Sequence, residues 1–248
     1  MKPLQPTSTL LSAARASITP RVTQPRAARL LWSSSNNASD NVSNTSTSTS
    51  SNTEKKVYKL NPQQKTFLDR ALRVNQAGEL AATLIYASQS PLITRSQPHL
   101  RPLMKHMYDQ EAAHLSTFNH LVATHRVRPT AMTPVWRAAA SFLGWSTACL
   151  GREAAMACTE AVETEIGTHY NDQVREILSW EKDAASKGEV LDEEVASLVA
   201  SLRRIRDEEL EHLDHAVEHD AKMATPYDPL VGVIRAGCRG AIEISERV

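Results

Sequence analysis

One duplicated pattern constrains this chain more than any other feature. Asp109-Gln-Glu111-Ala-Ala-His114-Leu115 and Asp207-Glu-Glu209-Leu-Glu-His212-Leu213 both read D-x-E-x-x-H-L. Upstream of each stands a second matched pair: Ala77-Gly-Glu79 with Tyr86, and Ala161-Val-Glu163 with Tyr170, both A-x-E with Tyr seven residues on. The order along the chain is therefore E…ExxH…E…ExxH, the same half twice. Glu and His three residues apart project together only from a helix, where i and i+3 are neighbours on one face. The repeat asks for four helices that bring four carboxylates and two imidazoles together.

The rest of the folded part agrees. Apolar or small residues at helical spacing run from Phe67 through Ala71, Val74, Gly78, Ala81, Ala82 and Ile85, with Asn61-Pro62 as a start and Ser90-Pro91 as a stop. That predicts a first helix over residues 60–89. A second covers 97–125, and a third stretch, 135–187, carries glycines at 144, 151 and 167 and can be two helices. A fourth covers 191–224, and a last short helix 229–246. No alternating β-branched segment competes, so the expectation is an all-α bundle.

Four carboxylates cancel the charge of two divalent ions, and four-helix bundles with this order of residues are the ferritin-like di-iron architecture. Carboxylate and imidazole donors without thiolate suit iron or manganese. The candidate ligands are Glu79, Glu111, His114, Glu163, Glu209 and His212. Ala77, Gly78, Ala81 and Ala82 leave room beside Glu79, and Asp109 and Asp207 are candidates for hydrogen bonds to the ligand imidazoles. His106, His120, His125, His215 and His219 read as solvent-facing, as do Glu160, Glu165, Glu208 and Glu211, and Cys158 as packed.

Residues 1–32 contain no Asp or Glu but carry Lys2, Arg15, Arg21, Arg26 and Arg29, the composition of a mitochondrial presequence. Residues 33–53 are almost entirely Ser, Asn and Thr, a spacer that cannot bury enough apolar surface to order itself. Residues 54–248 are then the folded domain. Lys plus Arg and Asp plus Glu both total 28, so no basic excess points to nucleic acid. Three cysteines without CxxC spacing exclude a thiolate zinc site and read as buried reduced thiols. No run of about 18 apolar residues spans a bilayer. The apolar stretch from Ala138 to Leu150, with Phe142 and Trp145 and flanked by Arg137 and Arg152, fits an interfacial helix and a core helix equally. The last helix is another candidate surface.

The blocks Arg73-Val-Asn-Gln-Ala-Gly-Glu79, Asp109-Gln-Glu-x-x-His114, Arg126-Val-Arg-Pro-Thr130, Ala155-Met-Ala-Cys-Thr159, Arg206-Asp-Glu-Glu-Leu-Glu-His212 and Ala236-Gly-Cys-Arg239 resemble the mitochondrial demethoxyubiquinone hydroxylases, over residues 64–248. The resemblance implies a ferritin-like four-helix bundle with one or two additional membrane-interfacial helices. It implies a di-iron monooxygenase that hydroxylates a polyprenylated demethoxyquinone or quinol ring with O₂ in ubiquinone synthesis. It assigns two iron ions to the same six residues and an electron-delivery role to His169 and Tyr170, with NADH or quinol as electron source. It also implies peripheral attachment to the matrix side of the mitochondrial inner membrane, beside other coenzyme-Q biosynthesis proteins including a lipid-binding partner. Where the family commonly has Asp-His before Ala-Gly-Glu, this chain has Asn75-Gln76. The alternatives are a ferritin-like iron store or peroxide scavenger, and a non-catalytic subunit of a quinone-synthesis assembly.

Overall fold

A computed structural model describes residues 56–248; the expected presequence and Ser/Asn/Thr spacer lie outside the described residues. Six helices follow one another: α1 (Pro62–Ser96), α2 (Arg101–Thr124), α3 (Thr133–Cys149), α4 (Arg152–Ser186), α5 (Glu193–Glu218) and α6 (Tyr227–Ser245). Among the described residues the only extended pairing is a single bridge between Val57 and Val190. The fold is the all-α ferritin-like bundle.

Local chemistry sets most of the boundaries. Asn61 and Gln64 form a reciprocal capping box, each side chain accepting from the other's backbone N–H at 2.9 Å, with Pro62 opening the helix. Asp192 caps α5 by accepting from the Glu194 N–H. Gly151, at φ 116°, takes the backbone conformation that separates α3 from α4, so the long third stretch is two helices.

Two boundaries differ from the sequence reading. Ser90-Pro91 does not end α1, which continues to Ser96. Proline removes only one ladder donor. Beyond it Ile93 is buried with Leu100 and Met104, so tertiary packing holds the last turns in place. The α5 helix ends at Glu218 rather than near 224, because Asp220 turns left-handed at φ 71° and a short 3₁₀ turn follows.

The four helices of the repeat form the bundle. Contacts from Asn75 to Gln173 and from Tyr86 to Glu163 run α1 antiparallel to α4. Contacts from Gln110 to His212 and from His114 to Glu208 do the same for α2 and α5. Apolar packing closes the bundle at both ends. Leu72, Phe118, Ile177, Leu202 and Ile205 fill one end, and Ile93, Met104, Met107, Met156 and Ala216 the other.

The α3 and α6 helices sit outside the bundle, on α1 and α4. Glu165, expected on the surface, is buried because Arg235 and Arg239 of α6 close over it at 2.6 and 2.7 Å. Glu160, also expected outside, is buried under Lys222 and the Tyr227 hydroxyl. Trp136 Nε1 donates to Ser245 Oγ at 2.9 Å and ties α3 to the end of α6. Cys158 is packed as expected, whereas Cys149 is exposed.

The α1–α3 crossing depends on one glycine. A Cβ at Gly144 would lie 2.5 Å from the Ile85 carbonyl oxygen and 2.8 Å from its Cα. Gly144→Ala is therefore expected to cost about 1–3 kcal/mol and to lower the unfolding midpoint by roughly 2–12 °C. Gly240→Ala, where nothing lies within 4 Å, should be neutral or stabilising by up to about 1 kcal/mol. Thermal unfolding of the two variants checks the difference.

Candidate metal centre

The bundle brings all six sequence-selected residues together at mid-height. Glu79, Glu111, His114, Glu163, Glu209 and His212 are each at most 1% exposed. Their side-chain atoms form two overlapping groups. In one, Glu79, Glu111, His114 and Glu209 place a potential ligand atom apiece within 4.8 Å of one another; in the other, Glu111, Glu163, Glu209 and His212 do the same. Glu111 and Glu209 are common to both. The E-x-x-H glutamates are thus central, and the A-x-E glutamates stand one at each end.

Both imidazoles turn Nδ1 inward. His114 Nδ1 lies 3.0 Å from Glu209 Oε1 and 3.5 Å from Glu79 Oε2. His212 Nδ1 lies 3.0 Å from Glu111 Oε1 and 3.2 Å from Glu209 Oε2. The outward nitrogens correct an expectation: neither Asp109 nor Asp207 holds a ligand imidazole. His114 Nε2 meets Glu208 Oε2 at 2.6 Å, and His212 Nε2 meets Gln110 Oε1 at 2.9 Å. Helix phase is the reason. The residue just before each ligand Glu faces across the α2–α5 seam, while Asp109 pairs with Lys105 and Asp207 with Arg206 on the outside. Glu208, expected to be a solvated carboxylate, also accepts two contacts from Arg204.

The tyrosines of the repeat are reciprocal as well. Tyr86 donates to Glu163 Oε1 at 3.1 Å, and Tyr170 donates to Glu79 Oε1. Each tyrosine, seven residues beyond one glutamate, serves the glutamate of the other half. Sequence singled out both tyrosines by spacing, but the exchange of partners needs the antiparallel register.

The unpaired atoms test whether this cluster suits cations. Among the described residues eleven buried side-chain polar atoms lack a hydrogen-bond partner, and eight of them belong to these six side chains. Such atoms are costly in a core unless something else meets them. All eight are carboxylate oxygens or inward imidazole nitrogens, a donor set that fits a pair of divalent ions.

Electrostatics point the same way. Burial, then the neighbouring Glu209, pushes Glu79, Glu111 and Glu163 above the ordinary carboxylate range. Burial opposes ionisation of Glu209 too, but His114 and His212 outweigh it and hold its carboxyl near about 2. Burial would lower His114, yet Glu209 and Glu79 raise it to about 11.

Next to the cluster lies a cavity of about 430 Å³ between α1, α3, α4 and α6. Val74, Gly78 and Ala81 of α1, Phe142 and Leu143 of α3, and Ile234 of α6 give it apolar walls. His169 and Tyr170 line it from α4, so the tyrosine bonded to Glu79 is also part of the cavity wall. His169 is not in the ligand groups; its Nε2 is buried without a partner, and burial lowers its pKa, leaving a neutral imidazole. Asn75, where this chain departs from the pattern it otherwise resembles, exchanges two 2.8 Å hydrogen bonds with Gln173, and Gln76 donates to Asn119 at 3.0 Å. Neutral amides occupy both places. The small residues around Glu79 hinted at the cavity, and the apolar character of the α3 and α6 segments was legible, but not that they wall this cavity.

Comparison with known proteins matches residues 66–245 to the family described as "Ubiquinone biosynthesis protein COQ7". A Saccharomyces cerevisiae relative, "5-demethoxyubiquinone hydroxylase, mitochondrial", is 47% identical over 196 residues, covering 78% of this chain and 83% of that protein. A human relative, "NADPH-dependent 3-demethoxyubiquinone 3-hydroxylase, mitochondrial", is 44% identical over 181 residues, 73% of this chain and 78% of that one. A Rhodospirillum rubrum "3-demethoxyubiquinol 3-hydroxylase" is 40% identical over 188 residues, 76% of this chain and 82% of its own.

The shifted groups fix how the chelated protein responds to pH. Groups whose folded pKa is raised stabilise the fold fully below their unfolded pKa and lose that contribution as pH rises through the folded value. Glu111, Glu163 and His114 all belong to this class. Glu209 is of the opposite class, and its contribution is constant above about pH 5. The unfolding midpoint of chelator-treated protein should therefore fall as pH rises from about 6.5 toward about 11, between the ordinary and the folded pKa of His114. A midpoint that is level or rising over that range contradicts this electrostatic account.

Proposed function

This chain belongs to the ubiquinone biosynthesis protein COQ7 family and is a demethoxyubiquinone hydroxylase, and we propose that it carries out that reaction with two iron ions held by Glu79, Glu111, His114, Glu163, Glu209 and His212. The observation that carries the reading is one shared wall. Tyr170 donates to Glu79 of the cluster and at the same time lines the apolar cavity. An iron store or scavenger built on this bundle has no use for such a cavity.

Iron bound to these residues supplies O₂ activation and transfer of one oxygen atom to the ring, the chemistry that amino-acid side chains lack. The chain's own residues do the rest. Glu111 and Glu209, which belong to both groups of side chains, would hold the ions together with Glu79 and His114 of one group and Glu163 and His212 of the other. Glu208 and Gln110 fix the tilt of the two imidazoles. The cavity walls exclude water and accept an apolar, polyprenylated quinone or quinol. Gly78, whose Cβ position has nothing within 4 Å, leaves space for the ring close to Glu79. The partnerless His169 Nε2 is placed to hydrogen-bond a ring oxygen, and the His169–Tyr170 pair, on the cavity wall, would be the residues that serve electron delivery from NADH or a quinol.

Among the described residues no helix is long and apolar enough to cross a membrane. Phe142, Trp145 and Val233 are more than half exposed, and Phe142 and Val233 also line the cavity. That continuity supports peripheral attachment on the matrix face of the mitochondrial inner membrane, where an isoprenoid tail can enter from lipid. Work beside other coenzyme-Q biosynthesis proteins, a lipid-binding partner among them, belongs to the same reading through the family resemblance.

Full-length protein loaded anaerobically with Fe²⁺ should hold about two ions per chain and hydroxylate a short-tail demethoxyubiquinone under O₂ and NADH. Glu163→Ala should lose both metal and product; undiminished turnover in that variant would overturn the ligand assignment. Gly78→Leu separates cavity from cluster. It should keep the iron and lose about tenfold or more in turnover per KM, because the added side chain fills ring space.

A further inference from the structure

A second group of metal-binding side chains lies outside the cluster, on the solvent side of the α2–α5 seam. His106 of α2 and Glu211 and His215 of α5 place a potential ligand atom apiece within 4.8 Å of one another. His106 Nε2 is 3.8 Å from Glu211 Oε1, and His215 Nε2 is 3.5 Å from the same oxygen. Ligand atoms about 2.05 Å from a tetrahedral ion stand roughly 3.3 Å apart, so small rotamer shifts close this triad onto one ion.

The other nitrogen of His215 lies near a second carboxylate. Its Nδ1 is 3.6 Å from Glu218 Oε2, beyond a hydrogen bond but close enough that a rotamer shift of exposed Glu218 brings the carboxylate to the imidazole. All three ligands rise from regular helix, which holds them better than a loop does. Side chains 27–48% exposed leave coordination positions open to water.

The triad is not an echo of the internal repeat. Under the alignment that superposes Glu111 and His114 on Glu209 and His212, His106 corresponds to Arg204, Glu211 to Ala113 and His215 to Thr117. The other half of the seam therefore has no such group, and Arg204 there binds Glu208 instead. Only the half in which neutral Gln110 supports His212 carries these ligands.

We propose that His106, Glu211 and His215 form a solvent-facing site for one divalent transition-metal ion, separate from the buried cluster. Two imidazoles and a carboxylate select zinc, iron, nickel or copper over magnesium and calcium.

Zinc binding to untagged full-length protein tests it, by equilibrium dialysis and calorimetry, on both metal-free and Fe²⁺-loaded samples. The wild type should retain one more zinc per chain than the His106→Ala/His215→Ala variant in both samples. The variant's unfolding midpoint without zinc should be unchanged, and Glu211→Gln alone should weaken that extra equivalent at least tenfold. Equal zinc in wild type and double variant overturns the proposal, as does an extra equivalent that survives Glu211→Gln at full affinity.

Discussion

Four carboxylates and two imidazoles buried together in one core form the constraint around which the rest of this protein is arranged. No apolar packing compensates for such a set, and the side chains satisfy one another only in part. Eight of their polar atoms remain without hydrogen-bond partners even though the surrounding bundle is closely packed. Outward-facing atoms, by contrast, are held with care: both imidazole Nε2 atoms, and one oxygen on each terminal glutamate, have named partners. The protein fixes the direction of each of these side chains and leaves their inward faces unpaired, which is what the proposed pair of cations requires.

Duplication explains how the set is oriented so economically. Because α1–α2 and α4–α5 repeat one another, every supporting contact occurs twice, with the partner drawn from the opposite half. Tyr86 serves Glu163 and Tyr170 serves Glu79; Gln110 serves His212 and Glu208 serves His114. The symmetry ends where function requires sidedness. The cavity opens on one flank only, where α3 and α6 are added to the bundle and where Tyr170 and His169, rather than Tyr86, line the wall. The α6 helix is held there by Glu160 and Glu165, two carboxylates of α4 that α6 and the turn before it bury.

The sequence made the bundle and the six buried residues legible because a repeat with helical spacing carries both at once. Packing partners were less visible. Asp109 and Asp207 were the conspicuous acids of the motif, yet the helix phase put their neighbours Gln110 and Glu208 against the imidazoles. Ser90-Pro91 resembled a stop, but buried Ile93 outweighed the local preference. Glu160 and Glu165 looked solvated because nothing local reveals that Lys222, Tyr227, Arg235 and Arg239 fold back onto them. Each miss concerns a contact between residues distant in sequence, or a preference of about 3 kcal/mol or less that tertiary packing reversed.

The most direct test of the central claim is anomalous diffraction at the iron edge from crystals of protein loaded with Fe²⁺. The account predicts two iron peaks per chain roughly 3.5–4 Å apart, both in reach of Glu111 and Glu209, with Glu79 and His114 on one and Glu163 and His212 on the other. A single peak, or iron found only outside these six side chains, would contradict it.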